Sequence, residues 1–373
     1  MMDKFYDFSK CEEYQIYKGY GGRNGGKIAI RFNNKKHMVK FNTKNNDKVN
    51  YKNSNISEYI ACHIFESLGF DTQKTYLGSY TTINKNTGAS KVSDVVACED
   101  FNQEGYQLAE FALIKNTCID SPENGYGIEL SSVLDTIDIQ HFIDNRQLKE
   151  FFWDMFIADA FTGNFDRHNG NWGILVNEDK QEAKIAPIYD CGSCLYPQLL
   201  EKDLDHITSN QQEIDNRIFV FPNSALRING HKINYFDYIS SLQNEDCNAA
   251  LLRIYPKINM DKIASIIDNT PGISEKRKQF YKIMLQARKE KILDYSFELL
   301  QKQNYNSIEN ISKSITMLLH NGIPFNQVEK EALKYIQGDN MITKKVKFKT
   351  ALKHACQNRA IRKIVEKEQG LER

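Results

Sequence analysis

Along the first hundred positions apolar and polar residues alternate in short runs, the period of half-buried strands. Residues 13–18 lead into a glycine cluster, Gly19-Tyr20-Gly21-Gly22-Arg23-Asn24-Gly25-Gly26, and the alternating run KIAIRF follows at 27–32. Asn33-Asn34 supplies a turn, and HMVKF at 37–41 returns as a second strand, so the pair is a hairpin with a flexible glycine loop at its mouth. The period then changes. Over 54–68, Ile56, Tyr59, Ile60, Ile64 and Leu68 recur at intervals that suit one helix face, and Gly69 stops the helix. Residues 75–82 and 91–98 read as two further strands.

Beyond Phe101 the pattern becomes helical. The stretch 146–162 is apolar on most faces, which predicts a helix buried in the middle of a helical lobe. It runs into the polar loop 163–171, followed by short strands at 172–176 and 183–186 and a turn at 187–192. Helical patterns continue at 235–242, 248–255, 260–268 and 274–303. The expectation is an α+β chain: a small, mostly antiparallel β amino lobe with one helix (1–101), a larger helical lobe (102–305) and a helical extension (306–373).

Charge and composition narrow this picture. The chain has 49 Lys and Arg against 48 Asp and Glu, a net of +1, and so carries no overall signature of a nucleic-acid or membrane-surface binder. Hydrophobic residues at 41% exclude disorder as the main state. No apolar run approaches the roughly 18 to 20 residues of a membrane span, and the first residues lack a signal-peptide apolar region, so a cytoplasmic protein is expected. The segment 308–373 departs from this balance: 13 Lys and Arg against 7 Asp and Glu make it +6. Nucleic-acid contact, if any, belongs there, although no recognised binding motif accompanies it; a solvated helical face is the plainer reading. Most of the eight cysteines sit in apolar stretches and read as reduced core thiols. Cys191 and Cys194 form the one close pair, with no second pair at zinc-site spacing.

Candidate chemistry concentrates in Asn164-Phe165-Asp166-Arg167-His168-Asn169-Gly170-Asn171 and in Ile188-Tyr189-Asp190-Cys191-Gly192. An Asp and an Asn in one loop, with a second Asp across the following hairpin, form the polar skeleton of a phosphoryl-transfer loop and metal-binding turn. Such a site needs a carboxylate to take the proton of the attacking hydroxyl, here Asp166. It also needs hard oxygen ligands for Mg²⁺, here Asn171 and Asp190. A surface turn with Asx caps would use the same residue types, but an apolar helix feeds this loop and apolar strands follow it. Gly21, Gly22, Gly25 and Gly26 lack the Cβ that would keep backbone N–H groups away from phosphates. Lys40, between Val39 and Phe41, needs a partner for its charge, and Glu58 on the next helix is the natural one. Lys27 and Lys36 flank the same hairpin and compete for the role.

The words FTGNFDRHNGNWGIL and IAPIYDCG resemble the HipA-type bacterial serine/threonine kinases. SEYIACHIFESLGF resembles the lobe-connecting helix of that family and VVACEDF its hinge; the likeness runs in order over 14–303. It implies a two-lobed protein-kinase-like fold and transfer from ATP, with Mg²⁺, to a Ser or Thr of a protein substrate, as in toxin or effector kinases. It also implies that the hinge at Glu99, Asp100 and Phe101 holds adenine by its backbone, with His168 and Asn171 beside the nucleotide. Three departures stand out. No counterpart of the amino-terminal antitoxin-contact domain precedes the glycine loop, so the chain resembles the short, stand-alone members of the proinflammatory HipA-like kinase type. The loop GYGGRNGG lacks the Ser that relatives phosphorylate to silence themselves, so autophosphorylation is expected elsewhere, for example on Ser54 or Ser57. The basic tail is no part of the pattern. Because phosphatidylinositol kinases share DRHxxN and DxG, a lipid acceptor is the first alternative, and a nucleotide-binding pseudokinase or interaction module the second. Near-neutral charge without a polybasic anchor favours the protein acceptor.

Overall fold

Residues 4–14, 26–42, 51–84, 86–102, 104–119, 123–336 and 341–368 are described in the computed structural model. Six strands make one sheet: β1 (Tyr6–Asp7), β2 (Glu12–Tyr14), β3 (Lys27–Phe32), β4 (Lys35–Phe41), β5 (Thr75–Ile83) and β6 (Ser90–Glu99), in the order β1-β5-β6-β4-β3-β2. The pairings are antiparallel except β1 with β5. Asn33 and Asn34 take φ of 49° and 61°, the paired left-handed turn whose twist matches a two-residue hairpin, and they set the register Lys27↔Lys40. With that register Ile30, Val39, Val95 and Ala97 share one face and pack with Phe8 and Tyr80. Lys27 and Lys40 fall on the other face, on the side of α1 (Ser54–Ser67), which buries Ile60, Ile64 and Phe65.

After β6 the chain forms β7 (Gln107–Glu110), α2 (Phe111–Cys118), α3 (Leu130–Ile139) and α4 (Asn145–Thr162). The Asp144 side chain caps α4 at the N–H of Gln147, and Gly163, at φ 71°, ends it in the left-handed region that costs glycine little. Trp153, Ile157 and Phe161 are fully buried on α4, as the apolar pattern predicts. Next come β8 (Gly173–Asn177) and β9 (Glu182–Ile185). A three-stranded antiparallel sheet forms in the order β7-β8-β9. A Cβ on Gly173 would lie 2.2 Å from the Ala109 carbonyl oxygen, so only glycine lets β8 begin this close to β7. Then follow α5 (Glu201–Ser209), α6 (Gln211–Asp215), the hairpin β10 (Arg227–Ile228) and β11 (His231–Lys232), α7 (Tyr235–Ser240), α8 (Glu245–Ile254), α9 (Met260–Asn269) and α10 (Glu275–Arg288).

The architecture is α+β, a curled mixed sheet followed by a largely helical region, as expected. The single helix expected over 274–303 is interrupted: a π-helical turn, Lys289–Asp294, separates α10 from α11 (Tyr295–His320). Residues 1–295 form one compact unit and 296–373 another. The second unit also contains α12 (Phe325–Tyr335), α13 (Met341–Ala355) and α14 (Arg359–Glu368). It has its own core of Ile311, Ile315, Leu319, Val328, Phe348 and Ile361. Among the described residues no helix is long and apolar enough to cross a membrane.

Candidate active site

Lys40 turns from β4 toward α1, and its ammonium lies 3.0 Å from Glu58 Oε2 and 3.0 Å from Asp190 Oδ1. The other Glu58 oxygen accepts the N–H of Cys191 at 3.0 Å. One ammonium and one buried carboxylate thus join β4, α1 and the turn after β9. Burial works against the Lys40 charge, but Asp190 and Glu58 outweigh it and hold its pKa well above the ordinary lysine value. Burial pushes Glu58 up, against the pull of Lys40. The Lys40 charge draws Asp190 down to about 2, although desolvation opposes it; the Asp190 side chain is still 45% exposed to the cleft. Lys27 stands opposite Lys40, its pKa lowered by burial and then by the Lys40 charge, and Lys36 is exposed. Lys40 is the hairpin lysine that bonds both Glu58 and Asp190, while Lys27 feels the charge of both acids.

A buried ion pair sets the polar loop. Arg167 donates through Nε and Nη2 to the two oxygens of Asp159 on α4, at 3.1 and 3.2 Å. Its Nη1 donates to the carbonyls of Asn171, 2.8 Å, and Tyr189, 2.6 Å, tying the loop to the turn that carries Asp190. Asn164 donates to Asp159 at 2.8 Å and accepts the Asp166 N–H at 3.0 Å; Asn171 Nδ2 donates to the Asp166 carbonyl at 2.8 Å. Asn169 is buried, donating to the carbonyls of Gly125 and Gly127, and His168 Nδ1 accepts the Gly170 N–H at 3.0 Å. Within this frame Asp166 is exposed on the cleft wall. Partial desolvation raises its pKa, and Asp190 adds to the rise while His168, Lys232 and Arg167 pull the other way. Asp190 holds φ of 53°, uncommon for a residue with a Cβ and found where surrounding structure over-determines the backbone. Cys191 and Cys194 are buried thiols closing the same turn through Cys194 N–H to Cys191 C=O, 3.1 Å.

These groups face one cavity of about 1060 Å³, lined by Gly26, Lys40, Glu58, Asp100, Phe101, Asp166, His168, Asn171 and Asp190. Gly21, Gly22 and Gly25 lie outside the described residues. Glu99 is not on the wall: its N–H donates to Lys74, its carbonyl accepts the Gln73 amide, and its carboxylate pairs with Lys35. The Asp100 N–H is likewise bonded, to the Lys36 carbonyl, whereas the Phe101 N–H has no partner among the described residues. The Phe101 ring lies 5.5 Å from that of Tyr189. Ser57 is fully buried and so closed to modification in this fold, while Ser54 lines the cavity. Sequence reasoning passed over Asp159, Arg167, Glu110, Tyr126 and Lys232. Tyr126 donates to Glu110 at 3.0 Å on the cavity wall. A carboxylate set among the small and apolar residues MFIADAFT was the available signal for Asp159 and hence for Arg167; nothing local marks Lys232.

A family model, the HipA-like C-terminal domain, matches residues 21–221. The serine/threonine-protein kinase CtkA of Helicobacter pylori strain J99 is 49% identical over 291 residues, which are 77% of this chain and 86% of that protein. The crystal structure of a Helicobacter pylori proinflammatory kinase CtkA superposes with a TM-score of 0.73 at 47% identity, covering 80% of this chain and 99% of that one. The match to the family model spans more than half of the chain, and the identity to a named kinase extends over three quarters of it. With the loop, the turn and the Lys40 pair assembled in one cleft, the chain belongs to the HipA-like serine/threonine kinases.

Proposed function

We propose that this cleft transfers the terminal phosphoryl group of ATP, in the presence of Mg²⁺, to a Ser or Thr hydroxyl of a protein in the cytoplasm. The carrying observation is Lys40 bridging Glu58 and Asp190 in the same cavity as Asp166 and Asn171. Asp190 offers a carboxylate held ionised. The Asn171 amide nitrogen is engaged by the Asp166 carbonyl, which leaves Oδ1 as its donor to a cation. Two oxygen donors suit Mg²⁺, which keeps several water and phosphate ligands. The bound metal would neutralise charge on the phosphate oxygens. Lys40 orients the phosphates, Glu58 holds Lys40, and Phe101 offers its N–H to adenine. His168 lies beside the nucleotide, and Gly26 on the cavity wall offers its backbone to the phosphates. The Oγ–P bond forms as the bond from phosphorus to the bridging oxygen of ADP breaks, and the hydroxyl proton passes to Asp166.

The test is incubation of the purified chain with labelled ATP, Mg²⁺ and a mixture of acceptor proteins. Phosphoserine or phosphothreonine should form with wild type and not with Asp190→Ala. No transfer by the folded wild-type chain overturns the reading. Binding can be measured separately. Mg²⁺–ATP at one hundred times its dissociation constant should stabilise the fold by about 2.7 kcal/mol, seen as a raised Tm. Lys40→Met should remove most of that rise and Glu99→Ala much less, because the Glu99 carboxylate points to Lys35.

A further inference from the structure

The cleft wall carries a second set of groups besides those proposed to hold the nucleotide. This set bears on the acceptor, and any role assigned to it rests on the kinase activity proposed for the cleft. Tyr51, Phe165 and Lys232 line the same cavity as Asp166, Phe165 precedes Asp166 in the chain, and Tyr51 and Lys232 are close enough for its charge to act on them. The Phe165 ring lies 6.3 Å from Tyr51 and 5.3 Å from Phe221. Phe221 ends the run Phe219-Val220-Phe221, whose members are 37%, 62% and 40% exposed. Phe219 packs on Phe236 at 4.8 Å and Phe221 on Phe165, yet each keeps over a third of its surface exposed beside the mostly exposed Val220, a contiguous apolar patch of the kind that marks interaction sites. The π-helical turn Asn216–Val220 presents them, closed by the Phe221 N–H on the Asn216 carbonyl at 3.0 Å; such turns are frequent at functional sites.

Lys232, on the β10–β11 hairpin, lines the same cavity as Phe165. The hairpin turn uses Asn229 and Gly230 at φ 52° and 79°. Its position is fixed from outside by the Gly230 N–H on Glu129 Oε1, 2.5 Å, and by the Arg227 N–H on the Ile128 carbonyl, 2.8 Å. Lys232 is exposed, makes no ion pair among the described residues, and its charge reaches Asp166. Arg227 and His231 on the same hairpin are exposed as well.

We infer that this set of groups reads the acceptor: an extended segment of the protein substrate lays an apolar side chain on the Phe165–Phe221 shelf and an acidic side chain against Lys232. The Ser or Thr between them is thereby presented to Asp166. The acidic neighbour follows from charge complementarity with a lysine that makes no ion pair among the described residues, and the apolar one from the exposed part of Phe221 and Val220.

The experiment is an array of serine peptides in which the flanking residues are acidic, neutral or basic and apolar or polar, assayed with Mg²⁺ and labelled ATP. Wild type should favour acidic over neutral flanks by about fivefold in kcat/KM, the scale of an exposed ion pair. Lys232→Glu should turn the preference toward basic flanks. Phe221→Ser should cost about tenfold on peptides with an apolar flank and little on those with a polar one, the scale of one apolar contact. A Lys232→Glu variant that loses activity equally on every peptide overturns the inference and assigns Lys232 to the phosphates. Wild-type transfer without any flank preference overturns it too, while leaving the kinase reading intact. Absence of both transfer and ATP hydrolysis brings down the kinase reading and this inference with it.

Discussion

Asp166→Asn is expected to slow phosphoryl transfer by about 10²- to 10⁴-fold, the contribution of a positioned general base. The loop should survive the change, because the hydrogen bonds from Asn171 and to Asn164 use the Asp166 backbone rather than its carboxylate. The loss should therefore fall on kcat, with nucleotide binding nearly unaltered. Asp190→Ala should be more severe and should weaken nucleotide binding as well, since it removes the proposed metal ligand and one of the two acids that compensate Lys40. The two aspartates also separate by pH. A base works only when ionised, and partial desolvation together with the Asp190 charge raises Asp166, so the acid limb of kcat/KM should lie above the usual aspartate range. Asp190, held at about 2 by Lys40, remains ionised throughout that limb. The limb should disappear from the residual activity of Asp166→Asn. A variant that keeps both its rate and its acid limb would remove Asp166 from the role of base.

How much of this was legible depended on whether the cause was local. Asn33-Asn34 announces the hairpin because asparagine tolerates the left-handed backbone that the turn requires, and strand register then follows from the alternation. The apolar run of α4, capped by Asp144 and stopped by Gly163, is likewise local information. Lys40 and Glu58 could be paired from the sequence because a charge between buried positions demands a partner, and the next helix offered one. Strand β7 was not foreseen. Gln107-Leu108-Ala109-Glu110 has little apolar signal of its own and is a strand because β8 pairs with it. The π turn Lys289–Asp294 was equally silent, since the apolar spacing of a helix continues through it. Glu99 was expected to hold adenine by its backbone, but its N–H and C=O are engaged by Lys74 and Gln73, which lie on a neighbouring segment. Lys232 reaches the cavity through a hairpin whose position depends on Glu129 and Ile128, contacts that no local pattern encodes.

The largest effect on stability should come from the pair that sequence reading missed. Arg167→Met leaves the Asp159 carboxylate, 1% exposed, without its counterion, and breaking a buried pair from one side costs about 3–5 kcal/mol. A loss of that size is a large share of the stability of an ordinary domain and should show as a reduced midpoint in urea unfolding. Replacing both partners, Asp159→Leu with Arg167→Met, leaves neither charge in the interior and should recover much of the loss. Activity should not recover with it. Arg167 also donates to the Asn171 and Tyr189 carbonyls, so the double variant loses two hydrogen bonds that tie the loop that carries Asp166 to the turn that carries Asp190. A misplacement of about 1 Å between such groups costs roughly 10²-fold in rate. Stability restored with kcat still low would identify Arg167 as the residue that positions the two halves of the site. Full activity in the stable double variant would reduce Arg167 to a core ion pair, and the alignment of Asp166 with Asp190 would then rest on other ties between loop and turn, such as the Tyr189 hydroxyl on the Gly170 carbonyl at 3.1 Å.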